Sequence, residues 1–221
     1  MRKITGAVFV SLDGVVQAPG GPSEDPTGGF AHGGWVQPFF DEGVGRRVGR
    51  LFEARFDLLL GRRTYDIFAA YWPYAGDDQA AIRDPFNGAA KYVLSSSEQP
   101  LAWHNSHRLA SIDAVAEVKR TAGPDLVIQG SSTLYPQLLT AGLLDALVLM
   151  VFPVLLGGGK RLFGDGTPPR TLEMVEHEVT AAGTVIAEYR PAGPVRSGSF
   201  AQPEPSPAEV ERQRKMAEGR W

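Results

Sequence analysis

In Asp57-Leu58-Leu59-Leu60-Gly61-Arg62-Arg63-Thr64, three leucines give way at once to a glycine, two arginines and a hydroxyl. The apolar run is too short for a buried helix, so it reads as a strand covered on both faces. The same event recurs in Tyr92-Val93-Leu94-Ser95-Ser96-Ser97 and in Val127-Ile128-Gln129-Gly130-Ser131-Ser132-Thr133. Two of the three lead into helical patterns, 64–71 and 132–141. Strands buried on both faces and joined through helices form a parallel sheet. The carboxyl ends of such strands line one crevice, and here they carry the small polar residues.

Outward from these runs, residues 3–10 predict a buried first strand and 13–38 a long Gly- and Pro-rich loop of functional character. Phe40, Val44, Val48, Leu51 and Phe52 recur at helical spacing and predict a helix over 39–56. A helix over 112–121 stops at Gly123-Pro124. A long apolar strand covers 144–155, and strands 171–179 and 184–190 form a hairpin turning at Ala182-Gly183. The expected fold class is α/β, with a sheet parallel in its centre and an antiparallel C-terminal hairpin. Residues 1–190 form one domain. Residues 191–221 hold five prolines and few aliphatics and read as a polar tail. Within it, the capping box Ser206-Pro207-Ala208-Glu209 starts a short helix over 207–218, with Val210, Arg214, Ala217 and Trp221 on one face.

With 221 residues the chain can build one sizeable core. Its 22 basic and 25 acidic residues give a net charge of −3, which speaks against general binding to nucleic acid or a membrane surface. No cysteine is present, so disulfides, thiolate catalysis and cysteine zinc sites are excluded. No apolar run approaches the roughly 20 residues of a membrane span. The N-terminal residues enter a strand pattern without a signal peptide, so a cytoplasmic protein is expected.

Two of the polar strand ends open helices, whose free N–H groups and dipoles suit phosphate. Arg62 or Arg63 can offer a fork of donors, and Ser95, Ser96 and Ser97 add hydroxyls. The dinucleotide fingerprint Gly-x-Gly-x-x-Gly is absent after the first strand. No acidic residue stands beside Ser95 to bind a ribose diol, whereas serines with arginine suit a 2′-phosphate, which favours NADP(H) over NAD(H). Gly157-Gly158-Gly159-Lys160 lacks the remaining elements of a phosphate loop and reads as a turn. Two carboxylates are acid–base candidates. Asp41 heads the apolar stripe of its helix, where it could bind a cationic or amide-bearing ring or relay a proton. Asp13, in Ser11-Leu12-Asp13-Gly14, is placed to enter the crevice from the first strand. Trp35, in the Gly-rich loop, is the aromatic expected to face a flat substrate. His104 and His107 lie in a loop without carboxylates, and no metal site is expected.

The chain resembles the bacterial dihydrofolate-reductase-like proteins that share a fold with the riboflavin-biosynthesis reductase domain, the RibD C-terminal domain. The resemblance rests on Ser11-Leu12-Asp13-Gly14, Leu59-Leu60-Gly61-Arg62-Arg63-Thr64-Tyr65 with Tyr71-Trp72-Pro73, Tyr92-Val93-Leu94-Ser95, Gln129-Gly130-Ser131-Ser132-Thr133-Leu134, and the stretch from Gly142 to Phe163. It implies a mixed sheet of eight strands flanked by helices, with NADPH lying across the strand ends. It implies that Gly61, Arg62, Arg63 and Thr64 hold phosphates and that Ser95 meets the adenosine ribose. Gly130, Ser131, Ser132 and Leu134 would meet the pyrophosphate, and Val15, Val16 and Gln17 would cover the nicotinamide. Asp41, after Trp35, would take the place of the family's catalytic carboxylate. A homodimer is also implied. The reading is an NADPH-dependent reductase transferring hydride to a small pterin- or pyrimidine-like heterocycle or to a carbonyl. The alternative is a non-catalytic NADP(H)-binding or sensor protein.

Overall fold

The computed structural model describes residues 1–200 and 204–220. The strands are β1 (Ile4–Ser11), β2 (Phe56–Gly61), β3 (Lys91–Leu94), β4 (Ser106–Leu109), β5 (Asp125–Gln129), β6 (Ala146–Phe152), β7 (Leu172–Val179) and β8 (Val185–Pro191). The helices are α1 (Glu42–Phe52), α2 (Arg62–Tyr71), α3 (Ala80–Gly88), α4 (Ile112–Arg120), α5 (Leu134–Thr140) and α6 (Pro207–Ala217). The strands form one eight-stranded sheet in the order β4-β3-β2-β5-β1-β6-β8-β7. The first six are parallel. β8 pairs antiparallel with β6 and with β7, giving the C-terminal hairpin.

Alternation along the strands sorts the core into two layers. Ile4, Val8, Leu59, Leu126 and Ile128 pack on one face with Leu134, Tyr135 and Leu138 of α5. A Cβ at Gly6 would collide with the Tyr135 ring, so β1 needs glycine there. On the other face Ala7, Val148 and Met150 meet Val44 and Val48 of α1, while Leu58 and Leu60 meet Tyr65 of α2 and Phe86 of α3. At the end of the sheet opposite the crevice, Asp57 pairs with Arg2, and Asp145 pairs with Lys119 while accepting from Ile4 N at 2.7 Å.

Two elements depart from the expectation. The loop expected around His107 holds β4, an edge strand in which only Leu109 is buried, so it has no apolar pattern to reveal it. Helix α3 was hidden by Pro85 in its own interior. Helix α1 is also shorter than 39–56, because Asp41 caps it and a separate turn occupies Gln37–Phe39. In the tail, Ser206 caps α6 by accepting from Glu209 N at 3.2 Å, and none of the helix is buried. Trp221 lies outside the described residues. Among the described residues no helix is long and apolar enough to cross a membrane.

Candidate functional site

The parallel order β3-β2-β5-β1 brings the carboxyl ends of the polar-tipped strands side by side. They open into a single cleft of about 930 Å³, lined by Gly61 to Thr64, Leu94 to Ser96 and Gln129 to Leu134. Residues 16–20 and 24–27 of the long loop after β1 complete its lining. The cleft brings together Val16, Gln17, Gly61, Arg62, Arg63, Thr64, Ser95, Ser96, Gly130, Ser131, Ser132 and Leu134, whereas Val15, buried in the core, and Ser97 do not line it.

Hydroxyl groups lock the strand ends together. Ser131 Oγ accepts from Gly61 N at 3.0 Å, and Thr64 Oγ1 accepts from Ser131 N at 3.1 Å. These bonds hold Gly130 (φ 69°) and Ser131 (φ 51°) in the left-handed region, a strained conformation for serine. Ser95 Oγ likewise accepts from Ser97 N at 3.1 Å. A hydroxyl that accepts retains its own hydrogen, so each can still donate to a ligand.

The two arginines differ. Arg62 Nε is shared between both oxygens of Asp66 at 2.9 and 3.0 Å, and its Nη1 donates to Gln99 O at 2.9 Å. The Arg63 side chain is 60% exposed, and its pairing with Asp25 is loose at 3.8 Å. Arg63 therefore has the freer donors. Gln17 is committed to the loop: Nε2 donates to Asp25 O and Thr27 O, both at 2.8 Å, and Oε1 accepts from Lys160 N at 3.0 Å.

Three expected site residues lie elsewhere. Asp41 caps α1, accepting from Val44 N at 3.0 Å and from Ala182 N at 2.8 Å in the β7–β8 turn. Those two bonds pull its carboxyl down to about 2. Asp13 accepts from Ser11 Oγ at 2.6 Å, Gly157 N at 2.8 Å and Leu156 N at 3.2 Å. It too is held at about 2, chiefly by the Ser11 hydroxyl and with the help of the Leu156 and Gly157 N–H groups, which together outweigh the upward effect of burial. Both carboxylates are structural clamps, and neither lines the cleft. Trp35 is buried in the core, edge-on to Phe152 at 5.7 Å, with Nε1 donating to Gln17 O at 2.8 Å. It supports the loop through Gln17 and is not among the residues that line the cleft.

The cleft also contains residues that the sequence did not single out. Glu24 and Asp25 come from the covering loop and Lys160 from the Gly157–Lys160 turn, where Lys160 pairs with Asp25. Lys160 and the Thr27 hydroxyl hold Asp25 below its ordinary value despite its burial. Burial raises the Glu24 carboxyl, outweighing the N–H of Gly20 at 2.6 Å. Trp72 and Gln129 add two buried polar atoms without a protein partner, Trp72 Nε1 and Gln129 Oε1. Gln129 could have been found from its place at the tip of β5. Glu24 sits in an aperiodic loop that gives no such signal.

Comparison with known proteins agrees with this fold. The Bacillus subtilis protein YyaP, itself uncharacterized, is 25% identical over 199 residues, covering 85% of this chain and 94% of that one. A Shewanella sp. PV-4 protein named for riboflavin biosynthesis superposes with a TM-score of 0.62 at 21% identity, over 86% of this chain and 99% of that one. Enterococcus faecalis dihydrofolate reductase, in complex with NADP(H) and RAB-propyl, gives 0.53 at 14% identity, over 86% and 96%. The family model of the RibD C-terminal domain matches residues 2–186. With that match running from β1 to the start of β8 and including every cleft-lining residue, the chain belongs to the RibD C-terminal domain family.

Proposed function

We propose that the protein is a reductase that uses NADPH to deliver hydride to a small pterin- or pyrimidine-like heterocycle or to a carbonyl. The observation that carries this reading is the convergence of three strand ends on one cleft that offers hydroxyl donors and the exposed, loosely paired guanidinium of Arg63. These residues fit a phosphorylated dinucleotide. Gly61 and Gly130 have no side chain to hold an anion off the main chain, and a Cβ at Gly130 would fill the gap 3.5 Å from Thr64 Cγ2. Gly61, Arg62, Arg63 and Thr64 would hold phosphates, with Arg63 the principal cation. Gly130, Ser131, Ser132 and Leu134 would hold the pyrophosphate, and Ser95 and Ser96 the adenosine side with its 2′-phosphate. Val16 and Gln17 would cover the nicotinamide. When bound, NADPH supplies a hydride with both its electrons. The chain's own part is to orient the reactants and exclude water beneath the loop, which Gln17 and Trp35 stiffen. The complex of the Enterococcus faecalis enzyme with NADP(H), on the same fold, supports the choice of cofactor.

Thermal denaturation with added cofactor tests the reading. NADPH at 100 times its Kd should add about 2.7 kcal/mol of stability, and NADH at the same concentration clearly less. No stabilisation by NADPH, or equal stabilisation by both, would sink it. One observation favours the alternative of a non-catalytic NADP(H) sensor: Asp13 and Asp41, the expected acids, are both engaged by main-chain N–H groups. That alternative predicts NADPH binding with no oxidation by any pterin, pyrimidine or quinone-like acceptor. We place the reductase unit in residues 1–190, so a chain lacking 195–221 should bind NADPH within twofold of the full chain. Light scattering on both forms reports the homodimer that the family resemblance implies.

A further inference from the structure

Reduction of a C=N or C=O bond by hydride leaves a heteroatom that needs a proton. With Asp13 and Asp41 outside the cleft, its lining offers three carboxyl groups: Glu24, Asp25 and Asp66. Asp66 is bound through both oxygens to Arg62. Asp25 is paired with Lys160, accepts from Thr27 and has Arg63 at 3.8 Å. Both are committed to cations, and the Lys160 ammonium is itself engaged by Asp25. Glu24 is different. Among the described residues no cationic side chain pairs with it, and its Oε2 accepts from the main-chain N–H of Gly20 at 2.6 Å. It is half-buried in the loop that covers the cleft.

We propose that Glu24 is the proton donor of this cleft, an assignment that rests on the reductase reading. The substrate gains a hydrogen and two electrons as hydride from the reduced nicotinamide. Its heteroatom gains the second hydrogen as a proton: the Glu24 O–H bond breaks, the new bond to the heteroatom forms, and water reprotonates the carboxylate. The environment favours the protonated form that such a donor needs. Burial raises the carboxyl most, and the negative charge of Asp25 beside it adds to the rise against the Gly20 and Gly21 N–H groups. The other charged groups in the cleft are Lys160 from the turn after β6 and Arg62, Arg63 and Asp66 from α2. Each of these four has an ionic partner other than Glu24.

The rival role is that of a loop clamp like Asp13, and Glu24→Gln separates the two because its amide oxygen can still accept from Gly20. In the full chain labelled with ¹³C-carboxyl glutamate and saturated with NADP⁺, one carboxyl should titrate above the ordinary glutamate value of 4.5 and vanish in Glu24→Gln. NADPH affinity should stay within twofold. NADPH oxidation with 7,8-dihydrofolate, whose C=N bond takes one hydride and one proton, should fall about 100-fold or more, and its decline with rising pH should flatten. A Glu24 carboxyl titrating at or below 4.5, or an undiminished rate in Glu24→Gln, overturns the assignment of Glu24 alone. Failure of the wild-type chain to bind NADPH overturns the reductase reading instead.

Discussion

The crevice-side edge of the sheet is fastened in two ways. Over β2, β3 and β5 the main chain is tied by hydroxyls: Ser131 to Gly61, Thr64 to Ser131, Ser95 to Ser97. Over β1, β6 and the β7–β8 turn it is tied by carboxylates: Asp13 to Leu156 and Gly157, Asp41 to Val44 and Ala182. A hydroxyl that accepts still has a hydrogen to donate, whereas an ionised carboxylate has none and repels an anion. The same structural task, closing loops over strand ends, therefore leaves one half of the edge with hydrogen-bond donors to spare and the other half with acceptors only, which is the division the proposed NADPH site follows.

The largest effect should come from Arg63, the more loosely paired of the two cleft arginines. Arg63→Ala should weaken NADPH binding about tenfold or more, and Arg62→Ala less, because Arg62 is already engaged by Asp66 and Gln99. Fluorescence titration with NADPH and NADH reads both variants, and a larger loss from Arg62→Ala would reverse their order. Next comes Ser131→Gly. It removes a hydroxyl donor and the acceptor of the buried Gly61 N–H but relieves a left-handed serine, so NADPH affinity should fall about fivefold while the melting temperature drops by only a few degrees. A large fall in melting temperature with unchanged affinity would make the hydroxyl purely structural.

The hydroxyl half was legible in the sequence, and the carboxylate half was not. Leu58 to Leu60 and Val127 to Ile128 are apolar runs that stop at small polar residues, and a parallel sheet has one place for such stops. The signal is local, and so is the structure it reports. Besides the local Val44 N–H and Ser11 hydroxyl, Asp41 and Asp13 hold main-chain groups at Ala182, Leu156 and Gly157, more than 140 residues away along the chain, and these long-range ties are what the sequence conceals. Nothing near either aspartate distinguishes a clamp from an acid. Trp35 misleads for the same reason, since its hydrogen-bond acceptor is the main chain of Gln17. β4 escaped because an exposed edge strand with a single buried side chain has no hydrophobic period.

The smallest effect is also the sharpest test of the division, because it should appear in stability alone. Asp41→Ala removes the α1 cap and the link to Ala182, so the melting temperature should fall by a few degrees with NADPH affinity unchanged. The difference from wild type should depend on pH in one direction. The folded-state carboxyl is pulled down to about 2 from 3.8, so the folded chain binds fewer protons than the unfolded chain between those values. The stabilisation is complete above pH 3.8 and disappears as pH falls towards 2. Asp13 titrates in the same window, but its contribution is common to both proteins and cancels in the difference. Urea unfolding of both chains at pH 7, 5, 3 and 2 should give a gap that is constant at the first two and closes at the last. A gap that persists at pH 2 would mean that Asp41 acts through packing and not through its charge. A loss of NADPH affinity in Asp41→Ala matching that of Arg63→Ala would return this carboxylate to the ligand site and erase the boundary between the two halves.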